Sequence, residues 1–296
     1  MGISMSRHKT KGQSPARIIA LCIAVIVFLA GLATMMYPIV ASSLNDWEQT
    51  RAARNYSADR EVIPPASQQA SLESAIEYNN RVGDLPLYDA WNGPENPVSP
   101  EYNEYLTQLS DGNAMGQLVI PSIDVNLPMY HGTDEETLEK GIGHLYGTSL
   151  PVGGQSTHAV LTGHTGIVSA TILNRLDEVE LGDSLYIRTV GQDLKYEVSD
   201  IRVVLPEETD SLRIFEGEDL LTVITCTPYG INSHRLLVTG HRVPMDVNEA
   251  TVFEEAGSKF DWWIAVVASM IVVFLIFIFY RWRKKSTRNS EQETNR

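Results

Sequence analysis

With 296 residues, the chain can hold one domain of about 200 residues plus extensions. It carries 23 basic and 37 acidic side chains, a net charge of −14, which makes nucleic acid an implausible partner. A cationic or amine-bearing partner suits such a field, although acidity alone more often signals solubility.

Residues 1–17 are polar and basic and read as a cytoplasmic tail. Ile18–Met36 is uncharged and almost unbroken in its apolarity over 19 residues, close to the roughly 20 that cross a bilayer as a helix. A cleaved signal peptide is the competing reading, but the run exceeds the usual ~7–15-residue apolar core. The first membrane helix is therefore placed at 18–40. Trp262–Tyr280 is an equally clean 19-residue run, flanked by a Trp pair and by Arg281, Arg283, Lys284 and Lys285. It reads as a second membrane helix at 262–280, followed by a tail at 281–296. Basic flanks stay in the cytoplasm. Both termini are thus expected inside and Ser42–Phe260 outside, with the chain in the cell membrane as a two-pass protein. That outer segment holds 13 basic and 34 acidic residues, a net charge of −21. Cys22 lies in the first span and Cys226 in the outer segment, so the two cannot pair. A lone outer Cys is either intermolecular or a working thiol.

Residues 41–84 read as a helical N-terminal region, broken at Pro64-Pro65. Leu85–Pro100 holds four prolines and one glycine in 16 residues and reads as a loop. Tyr88 and Trp91 within it need something to cover. From 101 to 245 the texture turns to short strands. Gln117–Ile120, Val125–Tyr130, His158–Thr162, Ser184–Arg188, Lys195–Leu205, Leu220–Thr225 and Arg235–Thr239 all fit, with short helices at Glu135–Lys140 and Thr171–Leu176. This spacing indicates a mainly β protein built on a closed or nearly closed barrel. Residues 246–261 read as an acidic linker to the second span.

The chemistry concentrates in Leu220–Val243. Two apolar runs flank a turn, with Cys226 where the first run ends and Arg235 where the second begins. If those strands are neighbours, thiol and guanidinium face each other, and an adjacent cation favours the nucleophilic thiolate. A buried structural Cys beside a solvated Arg is the default for this spacing alone. His164, between Gly163 and Gly166 at a strand end, mirrors the setting of Cys226, whereas His158 begins the same strand and belongs at its other end. The histidines lack ligand spacing, so no metal site is expected.

Thr162-Gly163-His164 and the run from Thr225 to Arg235 (TCTPYGINSHR) resemble the signature segments of sortases, most closely the class C, pilus-assembling members. Ile120–Ile123, Leu127–Thr133 and Gly143–Gly154 resemble further segments of that class. The resemblance implies a sortase barrel of about eight strands, with an N-terminal helical and lid region and two transmembrane helices. It also implies Cys226 as nucleophile, His164 as general acid/base and Arg235 as the group that positions substrate and stabilises the oxyanion. No cofactor is implied. Such enzymes cleave an LPxTG-like (Leu-Pro-x-Thr-Gly) sorting signal after Thr, hold a thioester, and pass the acyl group to an amine. In the pilus class that amine is a pilin lysine. The lid of that class carries Asp-Pro-aromatic. Here the match is Asp89-Ala90-Trp91, with Ala90 replacing Pro. Asp89 is expected to pair with Arg235 and Trp91 to cover Cys226, the ion pair being an exposed one worth at most about 1 kcal/mol. Thr165 stands where an Arg is common in the class. Two other readings compete: a housekeeping-type sortase using a peptidoglycan precursor amine, and a catalytically silent sortase-fold scaffold.

Overall fold

The computed structural model describes residues 15–81, 87–91, 99–166, 172–257, 262 and 265–278. The chain divides into two units, one of residues 1–40 with 261–296 and one of residues 41–260. In the first unit, one described helix is long and apolar enough to cross a membrane. It belongs to α1, Pro15–Val62. The second apolar helix, Ala265–Ile278, falls short of a full span in its described part. The basic cluster expected to anchor it, Arg281–Lys285, lies outside the described residues, as do residues 1–14 of the first tail and all of the second; residues 15–17, read as tail, are already in α1.

The second unit is an eight-strand closed barrel, with strands in the order β1-β2-β3-β4-β7-β8-β6-β5. These are β1 Gly116–Ile120, β2 Val125–His131, β3 Ile142–His144, β4 Thr157–Thr162, β5 Ser184–Thr189, β6 Gln192–Val204, β7 Asp219–Thr227 and β8 His234–Val243. Seven of them match the expected runs within a few residues. β3 was not anticipated, because three residues carry no legible period. The β2–β3 and β4–β7 contacts are parallel and the rest antiparallel. Leu118, Ile120, Met129, Leu161, Leu185, Ile187, Leu194, Val223 and Val238 fill the interior and are fully or almost fully buried. The helix expected at Thr171–Leu176 is instead a turn followed by one 3-10 turn, Leu176–Glu178, with Thr171 outside the described residues.

Helices close the barrel's flanks. α1 stops before Pro64-Pro65, and α2 (Pro65–Arg81) starts with Pro65 in its first turn, where the missing N–H costs nothing. The Asn79 side chain of α2 clasps Leu150, accepting from its N–H (2.8 Å) and donating to its carbonyl (3.1 Å). α3 (Pro100–Thr107) is capped by Ser99 and buries Tyr102 and Tyr105. Tyr105 Oη accepts from Gly132 N at 2.9 Å and lies 3.0 Å from His144 Nδ1. α4 is Glu135–Lys140, capped by Asp134. Its Leu138 sits so close over Gly143 that a Cβ there would meet Leu138 Cδ2 at 2.9 Å and Gly132 O at 2.3 Å.

The stretch read as a linker is folded against the barrel. Asp246 and Glu249 form a reciprocal capping box on a 3-10 turn, Val247–Thr251. α5 (Val252–Glu255) follows and buries Phe253 completely against Val119 and Tyr186. Burying such a ring stabilises by about 1.5–3 kcal/mol. Asn126 Nδ2 donates to Phe253 O (3.1 Å) and Ala256 O (2.9 Å), and Gln117 Nε2 donates to Phe253 O (3.0 Å). Ser57 Oγ donates to Gln117 Oε1 (2.6 Å), and Arg54 Nη2 to Ala256 O (3.1 Å). Gly257 has φ +103°, and a Cβ there would meet Asn126 Cβ at 2.6 Å and Thr50 Cγ2 at 2.8 Å. The outer part of α1 and the C-terminal segment of this unit therefore converge on one flank, at β1 and β2.

Candidate active site

Register decides what meets at one mouth of the barrel. Cys226, one residue from the end of β7, is the direct cross-strand partner of Arg235, the second residue of β8. The parallel pairing of β4 with β7 sets Thr162 beside Ile224. Two residues further along each strand come His164 and Cys226, so both emerge at the same end. Gly163 secures this junction, its N–H donating to Ile224 O (3.1 Å) and its carbonyl accepting from Thr225 Oγ1 (2.8 Å). A Cβ on Gly163 would meet Ile142, Ile172 and Leu173 at 2.8–3.0 Å, so a larger residue here would push those side chains aside. His158 lies at the start of β4, beside Leu220, fully buried, with Nδ1 2.8 Å from Arg213 O and Nε2 2.7 Å from Thr222 Oγ1. It is a structural histidine. His144 is likewise enclosed, and burial pushes its imidazole down to about 4.

The segment Leu87–Trp91 covers the mouth. Leu87, Ala90 and Trp91 pack on Leu145, Val160, Leu212, Ile224 and Leu237. Arg235 donates from Nε to Asp89 Oδ1 (2.6 Å) and from Nη2 to Asp89 Oδ2 (2.8 Å), a two-pronged ion pair. The side chains are only 6% and 9% exposed, which corrects the expectation of a surface pair. The Trp91 N–H donates to Asp89 Oδ2 at 3.3 Å, folding the segment into a local turn. The Arg235 guanidinium lies 4.8 Å from the centre of the Trp91 ring. The indole Nε1 donates to His164 Nδ1 at 3.3 Å. A ring nitrogen that accepts carries no proton, so this contact selects the neutral imidazole with its hydrogen on Nε2. Trp91 was expected over the thiol; the contacts described for it are with the imidazole and the guanidinium. The cavity left under the segment is about 20 Å³, room for about one water.

Electrostatics at the closed mouth favour uncharged thiol and imidazole. Burial pushes the Cys226 thiol up, with Asp89 adding to the rise and Arg235 opposing it. Burial lowers His164, against the pull of Glu135 and Glu139 on α4. Burial is the largest single influence on Arg235 and opposes its charge, but the Asp89 bonds and charge together with Cys226 more than offset it, so Arg235 stays cationic.

Two contributors escaped the sequence reading. Asn232, at φ +58° in the β7–β8 turn, holds its carbonyl 3.1 Å from Arg235 Nη1. An Asn in a turn is a known left-handed candidate, but where its carbonyl points is set by the fold. Asn174 takes part in the turn after His164, its side-chain oxygen accepting from Thr165 Oγ1 and Gly166 N.

Residues 118–243 match the Sortase domain family. Sortase D of Bacillus subtilis (strain 168) is 30% identical over 155 residues, covering 51% of this chain and 75% of that protein. The structure of sortase C-1 from Actinomyces oris is 56% identical with a TM-score of 0.60, covering 61% of this chain and 99% of the other. That of Streptococcus pneumoniae sortase C, which bears on catalysis and pilin substrate specificity, is 36% identical with a TM-score of 0.60, covering 66% and 97%. These likenesses define the barrel as a transpeptidase. The chain belongs to the sortase family, and its structural neighbours include class C pilin sortases.

Proposed function

We propose that this sortase is a membrane-anchored pilin polymerase in which Cys226, His164 and Arg235 carry the reaction. The observation that carries the reading is the cross-strand pairing of Cys226 with Arg235 at the mouth where His164 emerges. In the proposed cycle Asp89 and Trp91 swing away and free the guanidinium. The sulfur of Cys226 attacks the Thr carbonyl of an LPxTG-like signal while its proton passes to His164. Arg235 holds the oxyanion. The Thr–Gly bond breaks, His164 returns the proton to the departing Gly amine, and a thioester remains. A pilin lysine amine then attacks the thioester, loses a proton to the imidazole, and the thiol leaves reprotonated. The acidity of the outer segment, net −21, suits an acceptor that arrives as an ammonium.

The test combines the full-length protein in detergent with a sorting peptide, a lysine-bearing pilin and a peptidoglycan precursor amine. Mass spectrometry is expected to find the isopeptide to lysine. Product on the precursor alone would point to the housekeeping reading, and no thioester with any signal peptide to a silent scaffold.

Two-pass anchoring belongs to the same proposal. It is supported by the apolar runs and by the convergence of α1 and the C-terminal segment on one flank of the barrel unit. A protease-site tag after Gly112, in an exposed turn, should be cut on intact cells. A tag after Arg296 should be protected. Cleavage of the second tag with sparing of the first would overturn the topology.

A further inference from the structure

The main chain around His164 is held from both sides. Before it, Gly163 is tied to β7 through Ile224 O and Thr225 Oγ1. After it, the chain is tied to residues 173 and 174. Leu173 N donates to His164 O at 3.1 Å. Asn174 Oδ1 accepts twice, from Thr165 Oγ1 at 3.1 Å and from Gly166 N at 2.7 Å. Gly166 turns the chain at φ +77°, and its Cα face lies against the β7–β8 loop, where a Cβ would sit 3.5 Å from Gly230 N. The hydrogen bond described for the imidazole comes from Trp91, a group that must leave before substrate enters. Once it leaves, the ring's place is set by its own backbone.

We propose that Asn174 is a positioning residue for His164, its one side-chain oxygen fixing the two residues after the imidazole so that the ring keeps its place at the barrel mouth where Cys226 emerges when Trp91 departs. The inference rests on the reading of His164 as acid/base. Asn174 touches no substrate; it acts through Thr165 and Gly166. Small displacements of a proton-transfer group are costly, about 10²-fold for 1 Å. The role needs an oxygen acceptor and no N–H donor, so aspartate can replace asparagine. A carboxylate bonded to Thr165 and Gly166, the two residues after His164, also favours the imidazolium.

The test measures turnover of a sorting peptide by the full-length protein in detergent across pH, with thermal melting as a check on folding. Asn174→Ala should lower kcat by about 10–100-fold with KM for the peptide within about twofold. Asn174→Asp should restore kcat to within about threefold of the parent, and its acid limb should move to higher pH. Thr165→Val should lose less than Asn174→Ala, since Gly166 N keeps its acceptor. Unchanged kcat in Asn174→Ala beside an inactive His164→Ala would overturn the clamp alone. Turnover in His164→Ala would overturn the acid/base reading itself. If Asn174→Ala does not fold, unchanged kcat in Thr165→Val together with an unshifted limb in Asn174→Asp overturns the proposal.

Discussion

Cys226→Ala should give a folded protein that forms no thioester with a sorting peptide and no pilin polymer, a loss of at least about 10³-fold in turnover. The change removes one sulfur from a position that is 8% exposed at a strand end, so the cross-strand pairing with Arg235 is retained. Arg235→Lys should fail almost as badly, by about 10²–10³-fold in kcat/KM. Arg235 makes four described hydrogen bonds through three nitrogens, two to Asp89 and one each to the Asn232 and His234 carbonyls. A lysine ammonium is a point charge on a flexible stem and cannot reproduce that fork. Intact-protein mass spectrometry after mixing with peptide reads the thioester directly. Substantial thioester in Cys226→Ala would end the cysteine mechanism, and parent-like turnover in Arg235→Lys would reduce Arg235 to a structural role.

What was legible in the sequence is what short-range pattern encodes. The runs around Cys226 and Arg235 are rich in Val, Ile, Leu and Thr and separated by a turn, which is enough to infer two neighbouring strands. Gly163 and Gly166 around His164 marked a strand end, and the structure gives each a separate reason, a crowded core face and a left-handed turn. What was hidden depends on distant partners. Phe253 lies in an acidic stretch with no apolar period, so only its pocket against Val119 and Tyr186 shows that it is core. The Asp89–Arg235 pair could be guessed from residue types, but its burial comes from apolar packing by Leu87 and Ala90 on β4, β7 and β8. Thr165, standing where an Arg is common in the class, is buried and bonded to Asn174. The second membrane helix rests on composition, as it did at the outset.

The largest conformational effect is expected from releasing the cover. Asp89→Ala with Trp91→Ala should speed alkylation of Cys226 by a small thiol reagent by about 10–100-fold. A surface ion pair would hold the segment with about 1 kcal/mol at most. This pair is buried, and removing one partner of a buried pair typically costs about 3–5 kcal/mol, because the other charge is left stranded. Removing Asp89 therefore does more than delete an attraction: it leaves Arg235 without its carboxylate under a closed lid, and opening to water relieves that. Removing Trp91 also deletes the donor to His164 and the ring beneath the guanidinium. Ala90 leaves its backbone angle freer than Pro would, so closure carries a larger ordering cost, which keeps an open minority for substrate to select. The protection should depend on pH from both sides. Burial raises the thiol in the closed form, so its contribution to closure is complete while the thiol is protonated in both forms and is lost as pH rises through the closed-state value. The imidazole is lowered in the closed form, so its contribution is complete above about 6.5 and is lost as pH falls through the closed-state value. Imidazolium also has no lone pair for the indole N–H. The ratio of alkylation rates, double variant over parent, should thus be greatest near neutral pH and shrink on either side. Equal rates near neutral pH would mean that Leu87–Trp91 does not guard the thiol; a ratio that stays high as pH falls and shrinks only as it rises would leave the cover in place but remove His164 from its control.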